Sequence, residues 1–229
     1  MLKVDPHPDY PPEEGRYVRG NDYSPVIVVI VLSRPDDSIP AEIEELVRAG
    51  VESGAALSGT VQTENIGFEK IICNVIANPN IRYAVLSGPE SPGHSTGEAF
   101  KALFKNGVDE KKRIIGTRAP HPLLFNLPFE FIERFRSQLT LVDLQFKGTL
   151  EIIQKAVWSC FQEKPVEFMG YELHDTGAYD GPPLSGKITS RVTRPWAEPE
   201  DENERKAVKK MQEFVERMKK KNEERGNKL

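Results

Sequence analysis

Cysteine, histidine and long apolar runs are all scarce in this 229-residue chain, and each scarcity removes a class of function. The two cysteines, Cys73 and Cys160, lie in separate apolar helical patterns without Cys-x-x-Cys spacing. That excludes a disulfide framework and a thiolate zinc site, and reads as two buried thiols in a reducing cytoplasm. No secretory leader is legible, and the longest apolar run, Val26 to Leu32, falls far short of the roughly 18–20 residues a membrane helix needs. A cytoplasmic protein with no membrane span is expected. An excess of positive charge is also missing: the formal charge is −4, and no basic stripe is interleaved with aromatics, so nucleic acid is not an expected partner. Neither Gly-x-x-x-x-Gly-Lys nor Gly-x-Gly-x-x-Gly occurs. A nucleotide-binding module stays open as an alternative only through Ser87, Gly88 and Thr96, which lie near helix ends.

Alternation of buried strands and amphipathic helices is what the chain does contain. Val26 to Leu32 (VIVVIVL) reads as a strand buried on both faces, followed by a turn at Arg34 to Asp37. Ala41 to Ala49 has helical spacing at Ile43, Leu46 and Val47, with Gly50 or Gly54 as its stop and a short apolar segment at Ala55 to Leu57. In Gly59 to Lys70, Thr63 can cap a helix that carries Ile66, Ile71, Val75 and Ile76 down to Asn78-Pro79-Asn80. Arg82 to Ser87 is a further buried strand, Glu98 to Phe104 a helix stopped by Asn106 and Gly107, and Arg113 to Gly116 a short strand. A loop from Thr117 to Pro128 follows, then a strand at Leu139 to Asp143 and a helix at Gly148 to Phe161. The repeated βα order predicts an α/β fold, a Rossmann-like, mainly parallel sheet flanked by helices.

Four segments follow from this pattern. Residues 1–25, dense in proline and charge, read as an extended arm in which His7 is solvated, and residues 26–165 as the α/β domain. Residues 166–196 carry turn signals around YELH and KITSRV and read as a β-hairpin with His174 a strand residue. Residues 197–229 read as a charged helix with Val208, Met211, Val215 and Met218 at coiled-coil spacing, able to pack on the domain or to form a homo-oligomer.

The stretch Leu86 to Phe100, LSGPESPGHSTGEAF, places His94 between glycines where a strand gives way to a helix. In open α/β sheets ligands bind beyond the carboxyl ends of strands, and glycines such as Gly88, Gly93 and Gly97 let a large ligand approach the backbone. On local pattern alone His94 is either a ligand-binding side chain or a helix cap. His121, between two prolines in the following loop, either helps to wall a ligand or covers the sheet edge.

Four collinear segments, GTVQTENIGFEKII, NVIANPNIRYAVLSG, GHSTGEAFKALFKNGV and ERFRSQLTLVDL, resemble the family of cobamide-binding A subunits of tetrahydromethanopterin S-methyltransferase. The resemblance begins near Gly15-Arg16-Tyr17 and runs to about Glu163. It implies a corrinoid-binding protein of a methyl-transfer system that carries a methyl group on cobalt, from a methyl-tetrahydropterin-type donor to a thiol such as coenzyme M. It also implies methyltransferase partner subunits. The family's metal ligand falls on His94, and its Thr-Glu-Asn motif on Thr63, Glu64 and Asn65. Gly67, Ser87, Gly88, Gly93, Ser95, Thr96 and Gly97 would line the cofactor, with Gly116, Pro120, Phe125 and Gln138 as further contacts in the matched region.

One imidazole suffices for this chemistry, because the corrin ring supplies four equatorial nitrogens to cobalt. A ligating histidine ordinarily donates its other N–H to an outer partner. With a helix starting near Ser95, Glu98 is the expected partner, and Ser95 and Thr96 compete with it. The aspartate of the wider corrinoid motif Asp-x-His-x-x-Gly is absent, since Pro92 stands two residues before His94. Membrane-bound family members end in a transmembrane helix and this chain ends in the charged segment, so the resemblance implies a soluble paralogue. A cobamide carrier or storage protein without turnover would show the same site residues.

Overall fold

The computed structural model describes residues 3–33 and 39–161, together with scattered helical positions between 202 and 217. Five strands form one sheet in the order β1-β3-β2-β4-β5. They are β1 (Tyr17–Arg19), β2 (Val26–Val31), β3 (Leu57–Val61), β4 (Tyr83–Ser87) and β5 (Thr140–Asp143). Neighbours pair in parallel except β1, which runs antiparallel to β3. Five helices intervene: α1 (Ala41–Glu52), α2 (Ile66–Ile76), α3 (Thr96–Asn106), α4 (Phe129–Gln138) and α5 (Leu150–Cys160). The predicted α/β class and mainly parallel sheet are borne out.

The unbroken apolar run of β2 follows from its central position. Successive side chains of a strand point to opposite faces, and here both faces are covered. Val26, Val28 and Ile30 enter a layer with Ile43 and Val47 of α1 and Ile153 and Val157 of α5. Ile27, Val29 and Val31 enter the other layer, with Phe68 and Ile72 of α2, Phe100 and Leu103 of α3, and Ile132 and Phe135 of α4. Phe100 stands edge-on to Phe68 at a centroid distance of 5.1 Å, a geometry aromatic quadrupoles favour.

Several elements depart from the sequence expectation. The strand expected at Ala55 to Leu57 is β3, which begins at Leu57 and runs on through Val61, because Ser58, Gly59 and Thr60 find pairing partners in β2. A Cβ on Gly59 would lie 2.6 Å from Tyr17, so the glycine is what admits β1. Residues 3–25, expected as an extended arm, pack on the α/β domain. They contribute β1, bury Tyr10 and exchange hydrogen bonds with α2, from Glu13 N to Asn74 Oδ1 at 2.8 Å and from Asn74 Nδ2 to Glu13 O at 3.0 Å. Helix α1 runs through Gly50, where α1 packs so closely on β3 that a Cβ would meet Ser58 Oγ at 2.5 Å.

The strand expected at Arg113 to Gly116 is reduced to isolated bridges, Val108 with Ile114 and Arg113 with Leu123. Only Ile114 of its apolar pair is buried, and Ile115 stays exposed, too little to form a sixth strand. Helix α4 has no counterpart in the sequence expectation. Ile132 and Phe135, three residues apart, form its buried face behind Pro128. The Arg34 to Asp37 turn, the 166–196 hairpin and the apolar positions Val208, Met211, Val215 and Met218 lie outside the described residues. Contacts divide the chain into Met1–Thr193 and Arg194–Leu229. In the second unit Glu202 and Lys206, one turn apart, form an ion pair at 3.9 Å.

Candidate functional site

The chain turns to opposite sides of β2 through α1 and α2, so the sheet has its switch point between β2 and β4, where α/β folds bind ligands beyond the strand ends. There β4 ends in Ser87 and Gly88 follows. Gly88 has φ +90°, and a Cβ on it would sit 2.6 Å from Val31 O at the end of β2, so only glycine makes this turn. The loop then reaches His94, and Ser95 adopts the left-handed conformation (φ 51°) before α3 begins at Thr96. Two hydroxyls tie this loop to the one after β3. Thr96 Oγ1 donates to Gln62 O at 2.6 Å and Ser91 Oγ to the same oxygen at 3.2 Å.

The tie brings the Thr63-Glu64-Asn65 segment against His94. Asn65 is the N-cap of α2, its side chain accepting from Ile66 N at 2.7 Å, and Thr63 Oγ1 accepts from Gly67 N at 3.1 Å. Thr63 thus supports the helix start as its sequence position suggests, while the N-cap position itself belongs to Asn65. Glu64 does something different. Its side chain is wholly buried, with Oε2 2.9 Å from His94 Nδ1 and Oε1 accepting from His121 N at 2.8 Å. An ionised carboxylate can only accept, so a neutral imidazole in this arrangement carries its proton on Nδ1 and keeps its lone pair on Nε2. The His94 side chain is 42% exposed, and a Cβ built on the preceding Gly93 meets nothing within 4 Å. A single, oriented nitrogen lone pair is left for a ligand.

Glu98 is not the outer partner of His94. It pairs with Arg118, Oε1 lying 3.3 Å from Nε. The reason is the left-handed Ser95: His94 precedes the helix, so the four-residue spacing to Glu98 is not a helical one.

Gly97 lies in the same cluster, and a Cβ there would fall 1.9 Å from Gln145 Nε2. Ser87 Oγ is buried without a hydrogen-bond partner, close to the backbone of Gly148. Pro120 adjoins His121, and the Thr117 to Pro128 loop is fastened to α2 by Asn126 N and Nδ2, which donate to Glu69 at 2.8 and 2.9 Å. Phe125, next in sequence, is 76% exposed. Two expected contacts are not brought to the site. Gly116 lies beside Asn106, at the far end of α3 from His94. Gln138 is at the opposite end of the sheet, its Nε2 donating to Asn78 O at 3.0 Å and Ile81 O at 2.9 Å, where it holds the turn between α2 and β4. Sequence reasoning missed Glu90, Gln145 and the exposed Phe146, whose N donates to Gly88 O at 3.0 Å.

The family model MtrA, described as the A subunit of tetrahydromethanopterin S-methyltransferase, matches residues 3–189. The chain belongs to that family. Among curated members, the A 2 form of this subunit from Methanothermobacter thermautotrophicus is 40% identical over 190 residues, 82% of this chain and 92% of that protein. Its namesake from Methanothermobacter marburgensis is 43% identical over 186 residues, covering 80% and 89%. The A subunit from Methanopyrus kandleri is 39% identical over 185 residues, 80% of this chain but 67% of the longer protein. Among the described residues, no helix of this family member is long and apolar enough to cross a membrane. Nor do any three His, Cys, Asp or Glu side chains among them gather into a set able to hold a bare metal ion.

Proposed function

We propose that this member of the MtrA family binds a corrinoid through His94 Nε2 and serves a methyl-transfer system with partner subunits. The donor would be of the methyl-tetrahydropterin type and the acceptor a thiol such as coenzyme M. The observation that carries the proposal is the buried Glu64 carboxylate holding Nδ1–H of a half-exposed imidazole at the sheet's switch point.

The residues present fit such a group. A corrinoid would supply most of its metal's ligands itself, so a single imidazole from the protein would suffice to hold it, and one imidazole is what this site offers. A Cβ on Gly93 would meet no atom within 4 Å, and the exposed Phe125 and Phe146 lie on the loops that carry His121 and that follow β5, where they could offer apolar contacts to such a ligand. When bound, the corrinoid supplies a cobalt centre that can accept and give up a methyl group. The protein's own part is to orient the ligating nitrogen and to fix its tautomer through Glu64, as outer partners of ligating histidines do. Thr63 and Asn65 keep α2's first turn, and with it Glu64, in place.

An absorption titration of the purified protein with hydroxocobalamin, beside the His94→Ala variant, tests the reading. Saturable binding with a spectral shift that the variant lacks is the expected result. Equal spectra for both proteins would remove His94 as the ligand, and no binding of hydroxocobalamin or another cobamide would remove the corrinoid.

A further inference from the structure

We propose that Glu90 is the positioning residue that holds the His94 loop in its ligand-presenting shape. This residue lies outside the motifs that carry the family resemblance at the site, and its consequence for metal binding rests on the corrinoid reading above.

Helix α3 begins without an ordinary cap. Ser95, in the N-cap position, is left-handed and its side chain makes no capping hydrogen bond. The first-turn N–H groups that it leaves open point instead at the carboxylate of Glu90, five residues upstream. Oε1 accepts from Gly97 N at 2.8 Å and Oε2 from Glu98 N at 3.0 Å. The same carboxylate takes two further donors, Ser91 N at 2.9 Å on Oε1 and Gln145 Nε2 at 3.1 Å on Oε2. Negative charge at a helix N-terminus is favourable, and four N–H donors on one carboxylate leave little freedom in its placement.

The effect is geometric. Glu90 closes the segment Ser91 to Thr96 into a ring at its base, with Gly93 and His94 at the tip. It also ties that ring to the loop after β5 through Gln145, whose amide Nε2 lies 1.9 Å from where a Cβ on Gly97 would stand, so any larger residue there would push the amide off Glu90. Within the ring, His94 N donates to Ser91 O at 3.2 Å, a bond that holds only while Ser91 is itself fixed. The Gln62 tie brings the two loops together, and Glu90 holds the backbone beneath the imidazole in the shape that lets it meet Glu64 Oε2. Glutamine cannot replace it. One amide group must face either the Ser91 and Gly97 donors or the Glu98 and Gln145 donors, and its NH2 has nothing to offer either pair.

The test uses the full-length protein, 15N-labelled at histidine and free of cofactor, with two-bond nitrogen–proton spectra reporting the tautomer of His94. The wild type should show one tautomer, protonated at Nδ1. Glu90→Ala and the gentler Glu90→Gln should show an averaged pattern and bind hydroxocobalamin about 10-fold more weakly. Glu98→Gln removes a charge from the same helix turn without touching the clamp, and should keep the wild-type pattern. A lowered melting temperature in both Glu90 variants with an unchanged His94 pattern would make Glu90 a helix cap only and overturn the proposal. So would an equal disturbance in Glu98→Gln. Failure of the wild type to bind hydroxocobalamin would remove the corrinoid reading and leave the tautomer comparison to judge Glu90.

Discussion

Replacing Glu64 by glutamine alters one atom and reverses a proton preference. The carboxylate is fully buried and makes two contacts, one with His94 Nδ1 at 2.9 Å and one with His121 N at 2.8 Å. In Glu64→Gln the amide oxygen must face the His121 N–H, because the opposite orientation sets two donors against each other. The NH2 then donates to Nδ1, and the imidazole proton moves to Nε2, the nitrogen required for ligation. A hydrogen bond to a charged partner contributes about 1.5–3 kcal/mol, and loss of an outer partner to a metal-ligating histidine costs about 10–100-fold in affinity, or about 1.4–2.7 kcal/mol. The change of tautomer acts on the ligating nitrogen, so a loss of about 10–100-fold should appear in binding. Folding stability should fall less, because removing a buried charge also removes its desolvation cost. Titration with hydroxocobalamin gives the dissociation constant and the spectrum, and a thermal melt gives stability. Wild-type affinity together with a wild-type bound spectrum in Glu64→Gln would refute the role assigned to this pair.

Three further outcomes are expected. Gly97→Ala places a methyl group 1.9 Å from Gln145 Nε2; overpacking of this kind costs about 1–3 kcal/mol, read as a lowered melting temperature, and the weaker clamp lowers cobamide affinity in the same titration. Gln138→Ala strips the amide from Asn78 O and Ile81 O and should destabilise by about 1–3 kcal/mol in urea unfolding, while a cobamide dissociation constant that also rose would return Gln138 to the site. Cys73 and Cys160, 1% and 7% exposed, should resist a thiol-reactive dye in the native protein and react once it is denatured, whereas rapid native labelling would contradict their placement.

How far the site can be read along the chain differs residue by residue. His94 stands out because glycines flank it at a strand-to-helix junction, a signal local in sequence. Thr63, Glu64 and Asn65 are legible as a motif but not in their separate tasks, since Asn65 and Thr63 answer to α2 while Glu64 answers to a ring 30 positions away. Helical spacing points to Glu98 as the outer partner, and one left-handed residue, Ser95, cancels that spacing. Gln138 is drawn in by its place within the resemblance, although the chain has by then crossed to the other end of the sheet. Glu90 and Gln145 carry no pattern of their own: their meeting at 3.1 Å joins positions 55 residues apart.

Periodicity along the chain is enough to dictate the layers. A strand apolar at every position must be covered on both faces, and helices with one apolar flank must lie against it, so the α/β architecture and much of its core follow from pattern and burial. The order of the strands, the capture of the N-terminal segment as an edge strand and the partners around His94 arise only in the folded chain. Those depend on single hydrogen bonds and close approaches between distant segments, such as Glu64 to His94, Thr96 to Gln62 and Glu90 to the start of α3. Their directions exist only after the crossovers have brought the loops at the carboxyl end of the sheet together.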